Sequence, residues 1–106
     1  MPFRPYNIGL WHRANKISTT DGATSPISSP LSVTTTSTST LTVPTNAVSL
    51  IISGSVALRI SDDDDMTSYF VLPANTVLEL DVADEDYIYV RADSSDGNCY
   101  FIFQLV

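Results

Sequence analysis

The residues with the most chemical potential in this sequence are its carboxylates. Asp62, Asp63, Asp64 and Asp65 stand in an unbroken row, and Asp81, Asp84, Glu85 and Asp86 form a second cluster. Calcium collects several oxygen ligands, so the row Asp62 to Asp65 is a calcium candidate. It lacks the spacing and the glycine of an EF-hand loop, and adjacent residues in a turn point in different directions. A solvated acidic turn that discourages edge-to-edge pairing accounts for the row as well. If both acidic turns fell at one end of the fold, they could share an ion.

Catalysis finds little support. Paired carboxylates can do acid–base work, but in polar turns nothing raises a carboxyl pKa towards neutrality. His12 is the single histidine and Cys99 the single cysteine. A serine or cysteine nucleophile needs a positioned base, and His12 lies in a short basic segment far from the other candidates. Cys99 shares an alternating face with Phe101 and Phe103 and reads as a small core residue. One cysteine permits neither an intrachain disulfide nor a cysteine metal cluster. No phosphate-binding glycine loop or dinucleotide fingerprint is present. The expectation is a protein that is not an enzyme and needs no cofactor.

The elements that position these residues show a period of two. Val48, Leu50 and Ile52 alternate with Ser49, Ile51 and Ser53, and Leu78, Leu80 and Val82 with Val77, Glu79 and Asp81. Such alternation is the mark of a half-buried strand. Further strands are expected over 56–60, 67–72, 87–92 and 99–106, with turns at Gly54-Ser55, 61–65, 73–75, 83–86 and 93–98. Asp96-Gly97 is a strong hairpin signal. The last strand has no tail after it, which suggests a central place in a sheet. Residues 18–45 are Ser or Thr at 17 of 28 positions. Thr is β-branched and suits strands, so strands are expected near 31–36 and 38–43, after an irregular lead-in over 18–30 that contains Pro26 and Pro30. No stretch has the apolar period of a helix. The fold expected is all-β: an antiparallel β-sandwich, jelly-roll or Greek-key like, over 18–106.

Charge divides the chain. Residues 1–16 carry Arg4, Arg13 and Lys16 and no acid, while the rest carry two arginines against all twelve acids, for a net charge of −7 overall. Residues 1–17 also hold Phe3, Tyr6, Ile8, Leu10 and Trp11. This basic, aromatic segment reads as an extended N-terminal arm, which docks either on a neighbour or back on its own domain. Its start has no apolar run of the kind a signal peptide needs. An acidic body is a poor partner for nucleic acid, and no apolar run is long enough for a membrane span. Candidate interface residues are Phe3, Arg4, Tyr6, Trp11, Arg13 and Lys16 in the arm, and Tyr87, Tyr89 and Arg91 on one strand face. Tyr100 and Ile102 are expected on the equivalent face of a hairpin partner. Tyr and Arg are enriched where proteins meet; the alternative is that a second sheet covers this face.

Three segments carry a resemblance: NAVSLIISGSVALRIS, YFVLPANTVLELDV and DYIYVRADSSDGNCYFIFQL. From about Thr40 to Val106 the chain resembles small structural proteins of tailed bacteriophage virions, of the capsid decoration (cement) type. In that group the "LPA" phrase is usually followed by Gly, where this chain has Asn75. The resemblance implies a β-sandwich in the virion, assembled in the host cytoplasm and bound to the major capsid protein or another virion protein. It implies a homo-oligomer, with a trimer favoured, and an arm that clasps neighbours. A neck or tail adaptor that anchors fibres, and a carbohydrate- or receptor-binding sandwich, are the alternatives.

Overall fold

The structure is a computed structural model that describes residues 16–106. The expectations for Phe3, Arg4, Tyr6, Trp11 and Arg13 lie outside the described residues. Among those described there are nine strands and no helix: β1 (Lys16–Ser18), β2 (Leu31–Val33), β3 (Ser39–Thr42), β4 (Ala47–Gly54), β5 (Leu58–Ser61), β6 (Phe70–Leu72), β7 (Val77–Asp81), β8 (Tyr87–Ala92) and β9 (Gly97–Leu105). All pairings are antiparallel.

The last eight strands nest in pairs. Leu31 of β2 stands opposite Cys99 of β9, and Leu41 of β3 opposite Ile88 of β8. Leu50 of β4 faces Leu80 of β7, and Leu58 of β5 faces Leu72 of β6. The chain is thus one long hairpin whose tip is the loop containing Asp62 to Asp65. Rolled up, the hairpin deals its pairs alternately into two sheets. One runs β1-β9-β4-β7, with β2 also on β9, and the other runs β3-β8-β5-β6. This is jelly-roll connectivity, and the molecule is an antiparallel β-sandwich as its alternation foretells.

The core forms where the inward faces of the two sheets meet. Leu41, Leu50, Ile52, Leu58, Val90 and Phe103 are fully buried. The Phe101 and Phe103 rings pack edge to face, with centroids 5.9 Å apart. Each such side chain contributes roughly 1.5–3 kcal/mol on leaving water. Cys99 is buried among them. Strand β9 lies between β4 on one side and β1 and β2 on the other, the central position expected for it.

Several local expectations are corrected. The Asp96-Gly97 pair closes no hairpin: β8 and β9 belong to different sheets. Gly97 has no positive φ. It is glycine because a Cβ there would lie 2.7 Å from the Val56 side chain. Asp96 instead accepts a hydrogen bond from the Thr35 amide at 3.0 Å, tying the crossing loop to the one after β2. The strands expected over 31–36 and 67–72 are shorter, at Leu31–Val33 and Phe70–Leu72. Gly54-Ser55 likewise leads from one sheet to the other. Lys16 and Ile17, read as part of the arm, form β1 with Ser18 and pair with Leu105 and Gln104 of their own domain.

A second device holds the Ser/Thr-rich lead-in. Asp21 is buried, and its carboxylate accepts from three backbone amides. Oδ1 takes Ala23 at 3.3 Å and Ile27 at 2.9 Å, and Oδ2 takes Thr42 at 3.0 Å. The last bond clips the lead-in to the outer edge of β3. Gly22 sits tight against it, since a Cβ there would lie 2.8 Å from the Pro44 Cα. Asn75 occupies left-handed backbone at φ 61°, and its amide donates to the Gly54 carbonyl at 2.8 Å. Asn tolerates that conformation better than most side chains.

Candidate protein-binding face

Strand β8 alternates buried Ile88, Val90 and Ala92 with outward Tyr87, Tyr89 and Arg91. Among the described residues no second sheet covers the outward set. The outer face of β3-β8-β5-β6 is open, with Tyr87 48% exposed and Tyr89 and Arg91 half-buried among neighbours. Thr42 stands beside Tyr87, and Thr40 beside Tyr89. Across β5, Arg59 lies opposite Arg91 and then opposite Val71 of β6. Tyr69 completes the surface, its ring 4.7 Å from the Arg59 guanidinium carbon in a cation–π contact.

Two arginines directly opposite each other repel unless each is drawn elsewhere. Here they are. Arg59 donates from Nε to Asp93 at 2.8 Å. That hydrogen bond raises the Arg59 pKa above its ordinary value, against a smaller opposing effect of burial. Arg91 donates from Nε to the Thr35 carbonyl at 2.9 Å. Each guanidinium is thereby tied to its own partner. The Tyr87 and Tyr89 rings are 6.3 Å apart and tilted. Partial burial raises the Tyr89 hydroxyl pKa, and the nearby Asp64, Tyr87 and Asp63 push in the same direction. The face presents aromatic area beside polar groups that are already held in place. Tyr and Arg in such a setting are the side chains enriched where proteins meet.

The structure brings Tyr87, Tyr89 and Arg91 together as expected, and adds Tyr69 and Arg59. Tyr100 and Ile102 belong elsewhere. They project from the outer side of the other sheet, because β8 and β9 do not pair. Lys16 is on the edge of that other sheet. The signal for Arg59 was its outward phase in β5. Tyr69 gave none, since it precedes β6 in the loop after the acidic row.

The acidic row itself splits. Asp63, Asp64 and Asp65 have carboxylate oxygens within 4.8 Å of one another, and Asp62 is not among them. The Asp63 carboxylate accepts from the Asp65 amide at 3.1 Å and the Thr67 amide at 3.3 Å. Its first task is thus to shape the hairpin tip. Cys99 is pushed up to about 12 by burial, which makes its thiol inert rather than nucleophilic. Compared with known proteins, the chain matches no family model, no curated relative and no solved structure.

Proposed function

We propose that this protein is a virion structural component, a capsid decoration (cement) protein that binds the major capsid protein through the Tyr69/Tyr87/Tyr89/Arg59/Arg91 face and stabilises the head. The observation that carries a binding role is that face: open, aromatic and internally cross-linked by Arg59–Asp93 and Arg91–Thr35. Preordered Tyr and Arg lose little freedom when a partner covers them, which favours tight association. The virion assignment is supported by the resemblance over Thr40 to Val106, and at fold level by the recurrence of jelly rolls in capsids. A homotrimer over capsomer junctions suits a module of this size. Catalysis is no part of this reading.

The test is add-back. Heads lacking the protein are incubated with wild type or with Tyr87→Ala/Tyr89→Ala, and head rupture is followed on heating. Wild type is expected to raise the rupture temperature and the variant to fail, although it folds normally. An unchanged rupture temperature with wild type overturns the capsid assignment. Copy number then separates head from neck or tail: a high copy number fits decoration of the whole head, and a low one set by the symmetry of the neck or tail points to an adaptor. Three tyrosines on one flat face also favour a carbohydrate-binding reading, for which a glycan array is the check.

A further inference from the structure

Among the described residues nothing closes the sandwich along its β6–β7 side. Phe70 pairs with buried Ile60 and so faces inward, yet it is 53% exposed. Leu78 and Leu80 pair with buried Ile52 and Leu50, and are only half-buried. With Ile88 they form the floor of a cleft of about 320 Å³ between the two sheets. Its rim carries Asp62, Asp81 and Glu85. Among the described residues both β6 and β7 are the last strands of their sheets, so inward-facing apolar positions and two sheet edges meet at one place. Exposed apolar surface beside an unpaired edge is what a further segment of chain covers.

The pole of the molecule that holds this rim is acidic. Eight of the twelve acids, Asp62 to Asp65, Asp81 and Asp84 to Asp86, lie in or border the two loops there. Lys16, the first described residue, lies at the same pole. Lys16 pairs with Leu105, at the end of β9, and the first strand runs inward from there. A second groove, of about 420 Å³, is lined by Val106, Asn46, Val48, Ala83, Glu85 and Asp86. It begins beside the entry of β1 and shares Glu85 with the cleft. The two hollows meet at Glu85 and together form a track on this pole, with Val106 towards one end and Phe70 towards the other.

We propose that residues 1–15 of the same chain occupy this track, laying aromatic and aliphatic side chains on Phe70, Leu78 and Leu80 and setting Arg4 and Arg13 against Asp62, Asp81 and Glu85. Composition matches the site: Phe3, Tyr6, Ile8, Leu10 and Trp11 with two arginines and no acid. Reach suffices, because fifteen residues span up to about 50 Å when extended. The strand-to-strand distance from β1 to β7 is only about 14 Å. Tethering raises the local concentration of the segment to roughly the millimolar range, which favours its own cleft over a neighbour's. The segment would complete the fold of its own copy, leaving the Tyr–Arg face free for the partner.

Trp11 is the single tryptophan and reports directly. Its emission and acrylamide quenching are measured on the full chain over a wide range of protein concentration, with light scattering alongside. The variants are Phe70→Ser and the pair Asp81→Asn/Glu85→Gln, all at exposed positions that leave the core intact. Wild type is expected to show blue-shifted emission and several-fold lower quenching than free tryptophan amide, independent of concentration, with both variants raising the quenching. Free-like quenching in wild type overturns the proposal, as does protection that neither variant changes. Protection that grows with concentration together with a larger particle mass also overturns it, placing the segment in the cleft of a second copy.

Discussion

Replacing Asp21 by Ala isolates the clip that holds the Ser/Thr-rich lead-in. The substitution removes three hydrogen bonds to a charged acceptor, from the amides of Ala23, Ile27 and Thr42. An amide left unsatisfied in a buried site costs about 1–3 kcal/mol. Asp21 is itself 5% exposed, so water reaches its place poorly. The Ala23 bond is the longest, at 3.3 Å, and is the weakest of the three. Counting the Ile27 and Thr42 amides alone gives a loss of about 3 kcal/mol. For a domain of this size that is a fall of roughly 12–24 °C in Tm. Asp21→Asn should lie between, because one oxygen still serves Ile27 while the amide NH2 faces the Thr42 N–H, donor against donor. Urea unfolding with a two-state fit gives the free energies, and hydrogen exchange at Thr42 gives the local effect. A loss below about 1 kcal/mol for Asp21→Ala, with Thr42 still protected, would refute the reasoning, since the clip would then be dispensable.

Three further outcomes follow from single residues. Asn75→Gly should leave stability unchanged or slightly raised, whereas Asn75→Val should cost about 1–2 kcal/mol by thermal unfolding, because a β-branched residue resists positive φ. Gly97→Ala should destabilise by about 1–3 kcal/mol in urea, since its Cβ meets the Val56 side chain. Cys99 should resist a thiol reagent at pH 8 in the folded protein and react once unfolded. With its pKa raised from 9.0 to about 12, burial favours the protonated thiol. The unfolded chain therefore binds fewer protons between these values, and stability falls as pH rises from about 9 to 12. Cys99→Ala should flatten that slope even though it lowers stability throughout.

Strand identity was legible because a strand's alternation is local. The stretches Val48 to Ser53, Leu78 to Val82 and Ile88 to Ala92 write their buried face into neighbouring residues, and even the Thr-rich run yields a strand around buried Leu41. Sheet membership was not legible in the same way. Asp96-Gly97 has the composition of a hairpin turn, but its glycine answers to Val56, some forty positions away. No local pattern records that contact.

The sequence by itself determined an all-β chain with period-two strands, a buried Cys99 and acidic turns, because side-chain polarity and backbone preference act over a few residues. Only the tertiary structure decided that these strands nest around the Asp62–Asp65 tip and roll into two sheets. Rolling separates Tyr100 from Tyr87, brings Arg59 and Tyr69 beside Tyr89, clips Asp21 to Thr42 and leaves Phe70, Leu78 and Leu80 lining an open cleft. Each of these depends on which distant strand becomes a neighbour, and that choice is made by the burial of the whole apolar face at once.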